Sequence, residues 1–334
     1  MLNKKVTAMD VARLAGVSQS SVSRAFSKNA SISIKKRKLI LDAAEKLGYQ
    51  PNAIARGLIT NQSRIIGIVM RDVQNPFYPE VLEKFYSRLS GEGYQIMFIN
   101  SQNDEIQEHE VSQLIEYSVE GVIITDALLT SAAVQKLNRN GISVVLFNRY
   151  ISDSMSNAVI CNNFSAGQKI GQYLLDTGHL QLGFISGPAN TSTSLDRSRG
   201  FMDTLQKQGI ESIPMEDGAF TYQGGFAAAK KLMKHHEKMD ALFCANDIMA
   251  FGAIDYLTTA GYRIPEDISV IGFDNVTMAD WSSYALTTWK QPVDEMIQQA
   301  VKLMLDDISG QQEKPEMNFV DGCLIERASV KDRR

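Results

Sequence analysis

From residue 64 to its end, the chain alternates short apolar runs with amphipathic segments. Runs such as residues 65–70 (IIGIVM) are rich in β-branched residues and predict buried strands. Segments such as residues 79–91 repeat apolar positions at helical spacing and predict helices. This alternation predicts an α/β fold with parallel sheets covered on both faces, and so many strands fit two doubly wound lobes better than one sheet.

The predicted strands are short and largely apolar, and they cover residues 65–70, 95–100, 121–125, 143–147, 158–161, 182–186, 241–244, 269–273, 285–290 and 318–325. Between them we predict helices, which include residues 79–91, 105–118, 131–140 and 292–308.

The first 27 residues have a different pattern, that of two short helices meeting at a glycine. Thr7 and Asp10 form a capping pair, so the first helix is predicted to begin near Ala8. Gly16 allows a sharp turn and Ser18 caps the second helix. A helix-turn-helix that reads DNA is one interpretation of this stretch, and an ordinary helical hairpin is the other.

The second helix favours the DNA-reading interpretation through its outer face. Val22 and Ala25 are predicted to face inward, which leaves an outer set of hydrogen-bonding side chains able to reach base edges. That set is Gln19, Ser20, Ser23 and Arg24.

The distribution of charge supports DNA binding. Residues 1–64 contain 12 Lys and Arg against 3 Asp and Glu, whereas the rest of the chain is acidic enough to bring the total to −4. A basic segment can neutralise phosphates while an acidic body stays away from DNA.

A third helix is predicted from Ser33, its cap, to residue 47, with Gly48 ending it. Four cations, at residues 35–38, crowd its first turn, where they oppose the helix dipole. Phosphate contact would explain them, and a solvated charged face is the alternative.

Composition argues against several other classes of protein. No apolar run is as long as a membrane span and the N-terminus lacks the apolar core of a secretory signal, so we expect a cytoplasmic protein. Cys161, Cys244 and Cys323 and the four histidines have no metal-ligand spacing. We therefore predict no metal site and no cofactor.

Motifs spread over nearly the whole chain carry a resemblance to one family. They are V-A-R-L-A-G-V-S-x-x-S-V-S-R at 11–24, G-Y-x-P-N at 48–52, A-R-G-L at 55–58, N-P-F-Y at 75–78, R-S-R-G-F at 197–201, A-N-D at 245–247, I-G-F-D-N at 271–275 and T-W-K-Q-P at 288–292. In this order they resemble the lac repressor and galactose repressor family of bacterial transcription regulators.

The resemblance implies a division of labour along the chain. Residues 1–60 would form a helix-turn-helix head with a hinge helix at about 51–60, and residues 61–334 a body like periplasmic sugar-binding proteins. The chain would cross between the lobes three times, with segments 62–161 and 293–320 in the first lobe. Two heads of a homodimer would bind a pseudo-palindromic operator as a repressor. No leucine heptads follow the last strand, which favours a dimer.

The residues implied to contact DNA belong to the helix-turn-helix and the hinge, and they are Thr7, Ser18, Gln19, Ser20, Ser23, Arg24, Asn52, Ala55, Arg56 and Leu58. Leu58 matches a leucine that wedges into the minor groove. Gly57 stands where many relatives carry serine or alanine, and a glycine within a helix costs about 1 kcal/mol. We expect the hinge to depend on DNA or dimer contacts for folding.

The residues implied to bind a small-molecule effector, most simply a sugar or sugar derivative, are Phe77, Tyr78, Asn148, Arg197, Phe220, Asn246 and Asp274. For Phe77 and Tyr78 the alternative is a packed loop, and for Asn246 and Asp274 it is helix capping. Relatives often carry an aspartate at the position of Asn148. The arrangement of polar groups expected on the effector of this protein is therefore left open.

Two other classes of protein remain as alternatives. A sugar-binding transport protein fits the body, but the basic head and missing signal argue against it. A carbohydrate-active enzyme could use paired carboxylates such as Asp247 and Asp274, and a nucleotide-dependent oxidoreductase would also fit an α/β body. The chain has no G-x-G-x-x-G after its first strand, no phosphate-cradling lysine loop and no nucleophile elbow, so we predict no catalytic residue.

Overall fold

The computed structural model describes residues 6–26, 31–50, 62–103, 105–126, 129–151, 156–236 and 238–334. The chain divides into an N-terminal unit, Met1–Arg64, and a body, Ile65–Arg334. The predicted hinge residues Asn52, Ala55, Arg56, Gly57 and Leu58 lie outside the described residues.

The N-terminal unit contains three helices: α1 (Ala8–Ala15), α2 (Gln19–Ala25) and α3 (Ile34–Leu47). Each begins at a predicted side-chain cap, since Thr7, Ser18 and Ser33 accept main-chain N–H groups. Helices α1 and α3 end at Gly16 and Gly48, whose φ angles of 63° and 64° are left-handed. These local signals therefore predict the three helices correctly.

The core of this unit is small and is made by one face of each helix. Val11, Val22 and Ile40 are buried at its centre, with alanines of all three helices packed around them. Small side chains let the helices approach closely, so the polar faces of α1 and α2 stay at the surface.

The strands of the body, in chain order, are β1 (Ile65–Met70), β2 (Gln95–Asn100), β3 (Gly121–Ile124), β4 (Ser143–Phe147), β5 (Asn157–Cys161), β6 (Leu182–Ser186), β7 (Met215–Asp217), β8 (Ala241–Cys244), β9 (Ser269–Asp274), β10 (Thr287–Lys290), β11 (Met317–Val320) and β12 (Cys323–Ile325). The helices are α4 (Phe77–Gly91), α5 (Glu108–Glu116), α6 (Ser131–Arg139), α7 (Asn163–Asp176), α8 (Ser192–Lys207), α9 (Tyr222–His235), α10 (Asp247–Thr259) and α11 (Val293–Ile308). A short 3-10 helix covers Thr277–Asp280.

Two sheets divide the body into two lobes. In lobe 1 the strand order is β2-β1-β3-β4-β5-β11, and all the pairs are parallel. In lobe 2 the order is β7-β6-β8-β9-β10-β12, and only the last pair is antiparallel. The chain passes between the lobes after β5, after β10 and after β11, as the resemblance implied. The predicted doubly wound α/β class is confirmed.

One strand prediction is wrong. Residues 318–325 were predicted as a single strand, but β11 ends at Val320 and pairs with β5 of lobe 1, whereas β12 begins at Cys323 and pairs with β10 of lobe 2. The chain therefore makes its third crossing between the lobes within this apolar run. The short, half-exposed strand β7 was not predicted, because its three residues M-E-D carry no apolar pattern.

Close helix packing positions the lobe 2 side of the cleft. A Cβ at Gly200 of α8 would lie 2.0 Å from the carbonyl oxygen of Phe164 on α7, so only glycine permits this contact. The first turns of α8 carry Arg197 and are thereby held against α7. Within the described part of the chain, no helix is both long and apolar enough to span a membrane.

Candidate functional site

The carboxyl ends of the strands of both lobes face each other across a cleft. The cleft is nearly closed in this structure: about 20 Å³ is open to water-sized molecules, and about 370 Å³ lies between the lining atoms when the solvent at its mouth is included. The lining residues are Arg71, Asp72, Asn75, Phe77, Tyr78, Asp126, Asn148 and Arg149 of lobe 1 and Thr193, Arg197, Phe220, Asn246 and Asp274 of lobe 2. All seven residues predicted for the effector lie in this cleft, and their role in binding stays a prediction.

Three aromatic rings form the apolar part of the cleft. Phe77 and Tyr78 begin α4, and their rings pack edge to face with centroids 5.2 Å apart. The side chain of Asn75 accepts the main-chain N–H of Phe77 at 3.1 Å, which sets the start of the helix. Phe220 comes from lobe 2 and is also buried, at a left-handed φ of 57°. Such faces suit the C–H surface of a sugar ring.

Asn148 follows β4 and is buried, with a left-handed φ of 68°. Its Nδ2 donates to the hydroxyl of Tyr78 at 3.4 Å. Its Oδ1 is fully buried and accepts no hydrogen bond from any described residue. Burial raises the pKa of Tyr78 well above 10.0, so that hydroxyl remains protonated. The unpaired Oδ1 is an acceptor that a ligand could satisfy.

Asp126 is a buried carboxylate that accepts three hydrogen bonds from the protein. Its two oxygens accept the main-chain N–H groups of Arg71 and Asp72, both at 2.7 Å, and Oδ1 also accepts the hydroxyl of Thr125 at 2.9 Å. The main-chain carbonyl of Asp126 accepts a hydrogen bond from Nη1 of Arg149. Asp126 therefore holds the loop after β1 in place.

Arg197 is the buried cation of lobe 2. Its Nε donates to Oδ1 of Asn163 at 2.8 Å and its Nη1 to the carbonyl of Ala245 at 2.5 Å. Its Nη2 lies 3.8 Å from Oδ1 of Asp274, and its Cζ lies 3.5 Å from the centre of the Phe273 ring. Burial lowers the pKa of Arg197, and the charge of Asp274 opposes that shift.

Asp274 ends β9 at a φ of 120°, in the region that favours glycine. Nε2 of Gln291 donates to its Oδ1 at 2.7 Å. Burial raises the pKa of Asp274 to about 6, and Arg197 and Gln291 oppose the rise. This carboxyl therefore titrates close to neutral pH.

Asn246 caps a helix, as the alternative to effector binding proposed, and its role in binding stays a prediction. Its Oδ1 accepts the main-chain N–H of Met249 at 3.0 Å at the start of α10, and its Nδ2 donates to the carbonyl of Phe220 at 3.5 Å. Asn246 therefore also positions an aromatic wall of the cleft. Asp274 caps no helix among the described residues.

Tyr150 and Thr277 make hydrogen bonds that join the lobes beside the cleft. Tyr150 of lobe 1 donates its main-chain N–H to Ser192 Oγ at 3.1 Å and its hydroxyl to Asp196 at 2.9 Å. Thr277 of lobe 2 donates its N–H and its hydroxyl to Oε1 of Glu80, at 3.2 and 2.8 Å. These hydrogen bonds stabilise the lobe angle of the present structure.

The outer face of α2 is exposed as predicted. Gln19, Ser20, Ser23 and Arg24 are exposed, while Val22 and Ala25 are buried. Thr7 and Ser18 are exposed caps, and Ser18 Oγ lies 2.9 Å from Ser20 Oγ. Lys35, Lys36 and Lys38 are exposed on the first turn of α3. DNA contact by these residues stays a prediction.

Sequence reasoning missed part of the cleft lining, namely Arg71, Asp72, Asn75, Asp126, Arg149 and Thr193. Most of the lobe 1 residues follow β1, β3 or β4 within a few positions. Polar residues just after a buried strand would have been the signal for them.

The carboxylate pair considered for a glycosidase is not presented to the cleft as a pair. Asp247 is fully buried and accepts the N–H of Val276 at 2.9 Å and the hydroxyl of Thr288 at 2.6 Å. It does not line the cleft that Asp274 lines. Within the described ranges there is no group of three His, Cys, Asp or Glu side chains that could hold a metal ion.

Comparisons with known proteins identify the family. Residues 7–52 match the bacterial regulatory proteins of the lacI family, and residues 63–322 match the periplasmic binding proteins and sugar binding domain of the LacI family. The chain is 32% identical over 331 residues to the HTH-type transcriptional repressor PurR of Edwardsiella ictaluri, covering 98% of this chain and 97% of the relative. It is also 32% identical to PurR of Escherichia coli O139:H28, over 332 residues, with coverage of 98% and 97%.

Solved structures give the same result. The lac repressor dimer bound to operator and the anti-inducer ONPF matches 98% of this chain and 100% of that chain, at 25% identity and a TM-score of 0.88. The transcriptional regulator CelR in complex with cellobiose matches 97% and 100%, at 27% identity and a TM-score of 0.73. A LacI family regulator from Enterococcus faecium with bound ribose matches 81% and 100%, at 27% identity and a TM-score of 0.74.

One conclusion follows from the helix-turn-helix unit, the two-lobed body and these similarities. The predicted function is confirmed, as is the prediction that proteins of this family are not enzymes. The chain belongs to the LacI family of bacterial regulatory proteins, which are DNA-binding transcriptional repressors controlled by a small molecule.

Proposed function

We propose that this repressor acts in the cytoplasm as a homodimer whose two heads bind the half-sites of a pseudo-palindromic operator. A sugar or sugar derivative in the cleft releases it from that operator. The lac repressor relative is a dimer bound to operator, and other relatives hold cellobiose or ribose, which supports both parts of the proposal.

On the DNA side, the exposed set Gln19, Ser20, Ser23 and Arg24 would meet the major groove, because Gln suits adenine and Arg suits guanine. Thr7 and Ser18 would orient the helices against phosphates. The hinge would contribute Asn52, Ala55, Arg56 and Leu58, within a DNA-binding segment of residues 1–60, and residues 61–334 would bind the effector and the second protomer.

On the effector side, the observation that carries the proposal is the unpaired buried Oδ1 of Asn148, which lies among aromatic rings and polar side chains of both lobes. A buried acceptor without a partner costs free energy, and a ligand hydroxyl would remove that cost. A polyhydroxylated ring would also pack against Phe77 and Phe220. A ligand that contacts both lobes changes their relative angle, and with it the operator-bound population.

The test uses the full-length protein with a labelled promoter fragment from upstream of its own gene. Fluorescence anisotropy measures operator binding, and thermal shift with a panel of sugars and sugar derivatives finds the effector. Asn148→Ala should weaken effector binding about 5- to 100-fold, as expected for a lost buried hydrogen bond. Asn138→Ala, an exposed asparagine on α6, is the matched control.

Operator affinity without effector should be the same in both variants. An Asn148→Ala protein that responds to the effector with the wild-type dose dependence would remove Asn148 from the site. Operator binding that no metabolite of the panel alters would contradict control by a ligand in the cleft.

A further inference from the structure

The charges that line the cleft are not all compensated. Asp126 accepts three hydrogen bonds from the protein, and Asp274 is hydrogen bonded by Gln291 and lies beside Arg197. Arg197 donates two hydrogen bonds to the protein, and its Nη2 lies 3.8 Å from Oδ1 of Asp274.

Arg149 is different. Its Nη1 contacts a main-chain carbonyl, and its Cζ lies 5.9 Å from the centre of the Phe220 ring. Its Nε is buried and has no acceptor among the described residues, and none of their carboxylates lies within 4.0 Å of its guanidinium. The residue before it, Asn148, is an amide and carries no compensating charge.

We propose that the cleft takes a sugar acid, whose carboxylate binds the guanidinium of Arg149 and one of whose hydroxyls donates to Oδ1 of Asn148. This inference rests on the proposed function and narrows its effector from sugars in general to monoanionic ones. A planar carboxylate matches the fork of a guanidinium, and a charge-assisted pair is about twice as strong as a neutral hydrogen bond.

The charge count favours a carboxylate over a phosphate. Burying a charge is costly unless a counter-charge receives it. Arg71, Arg149 and Arg197 line the cleft against Asp72, Asp126 and Asp274, a formal net charge of zero, and no described carboxylate lies within 4.0 Å of the guanidinium of Arg149. A phosphate monoester carries a charge of about −1.5 to −2 at pH 7. Its excess charge would face the carboxylates of Asp72, Asp126 and Asp274, which also line the cleft.

The experiment compares matched ligands that differ in one group. Wild-type full-length protein is titrated with D-glucose, D-glucuronate, D-glucuronamide and D-glucose 6-phosphate, which differ only at C6, and with the corresponding galactose series. Thermal shift and operator release are both measured. In one series the acid should bind at least 10-fold more tightly than its neutral sugar, its amide and its phosphate.

Arg149→Gln should weaken binding of that acid about 30-fold or more and remove the preference over the amide. Arg139→Gln, an exposed arginine on α6, is the matched control and should change neither. The comparison of acid with amide needs no variant, so it remains decisive if Arg149→Gln does not fold.

Preference for a neutral sugar or for a phosphate, or the absence of any shift with every acid, overturns the inference. A neutral sugar could instead release the operator from the wild-type protein and release it less well from the Asn148→Ala variant. That result would overturn the inference that the effector is a sugar acid, but it would support the proposed function. Operator binding that no ligand changes overturns the proposed function as well.

Discussion

The titration of Asp274 is a direct test of the electrostatics of the cleft. Burial raises the pKa of this carboxyl from 3.8 to about 6. A carboxyl with a higher pKa in the folded than in the unfolded chain binds more protons when folded. Its contribution therefore stabilises the folded state at low pH and is lost as the pH rises through about 6.

The magnitude follows from the two pKa values. A difference between 3.8 and about 6 corresponds to about 3 kcal/mol in full, of which about 2 kcal/mol disappears between about pH 4.5 and pH 7. Asp274→Asn cannot ionise, and it also removes a charge that raises the pKa of the buried Asp247, so the measured difference includes the response of Asp247. The variant also leaves Arg197 without a counter-charge, but that loss is nearly constant over this range because an arginine stays protonated.

The assay is urea unfolding followed by tryptophan fluorescence. The two tryptophans of the chain, Trp281 and Trp289, both belong to lobe 2, so the signal reports the lobe that carries Asp274. The free energy of unfolding of wild type minus that of Asp274→Asn should fall by about 2 kcal/mol from about pH 4.5 to pH 7. Asp307→Asn, at an exposed position of α11, is the control. A difference that stays constant within about 0.5 kcal/mol would refute the shifted pKa.

Three further substitutions test other parts of the molecule. Arg24→Ala should weaken specific operator binding by about 1 to 3 kcal/mol, as measured by anisotropy, and an equal loss on random DNA would make it a phosphate contact. Tyr150→Phe removes the hydrogen bond to Asp196 between the lobes and should change effector affinity in calorimetric titration by about 1 kcal/mol; no change would show that this bond contributes equally to the free and the ligand-bound states. Gly200→Ala should destabilise lobe 2 by about 3 kcal/mol in urea unfolding, whereas Gly91→Ala, with open space around it, should cost less than about 1 kcal/mol.

Local sequence was sufficient where the physical cause is local. Thr7, Ser18 and Ser33 are hydrogen bonded to main-chain groups three residues away, and Gly16 and Gly48 end their helices through their own φ angles. The positions of α1, α2 and α3 therefore followed from short motifs. The periodicity of apolar residues likewise predicted most strands of the body, because buried parallel strands are nearly continuous apolar runs.

Tertiary structure decided what depends on partners far away in the chain. Residues 318–325 form one apolar run, yet their hydrogen bonds are with β5 in one lobe and β10 in the other, so no local signal could divide them. The same holds for the cleft. The resemblance named Asn148 and Arg197, but only the fold shows that Arg197 donates to Asn163 and Ala245, while Arg149 and Asn148 keep unpaired atoms. Which polar groups remain available to a ligand depends on the hydrogen bonds the folded protein has already made, and those bonds join residues distant in sequence.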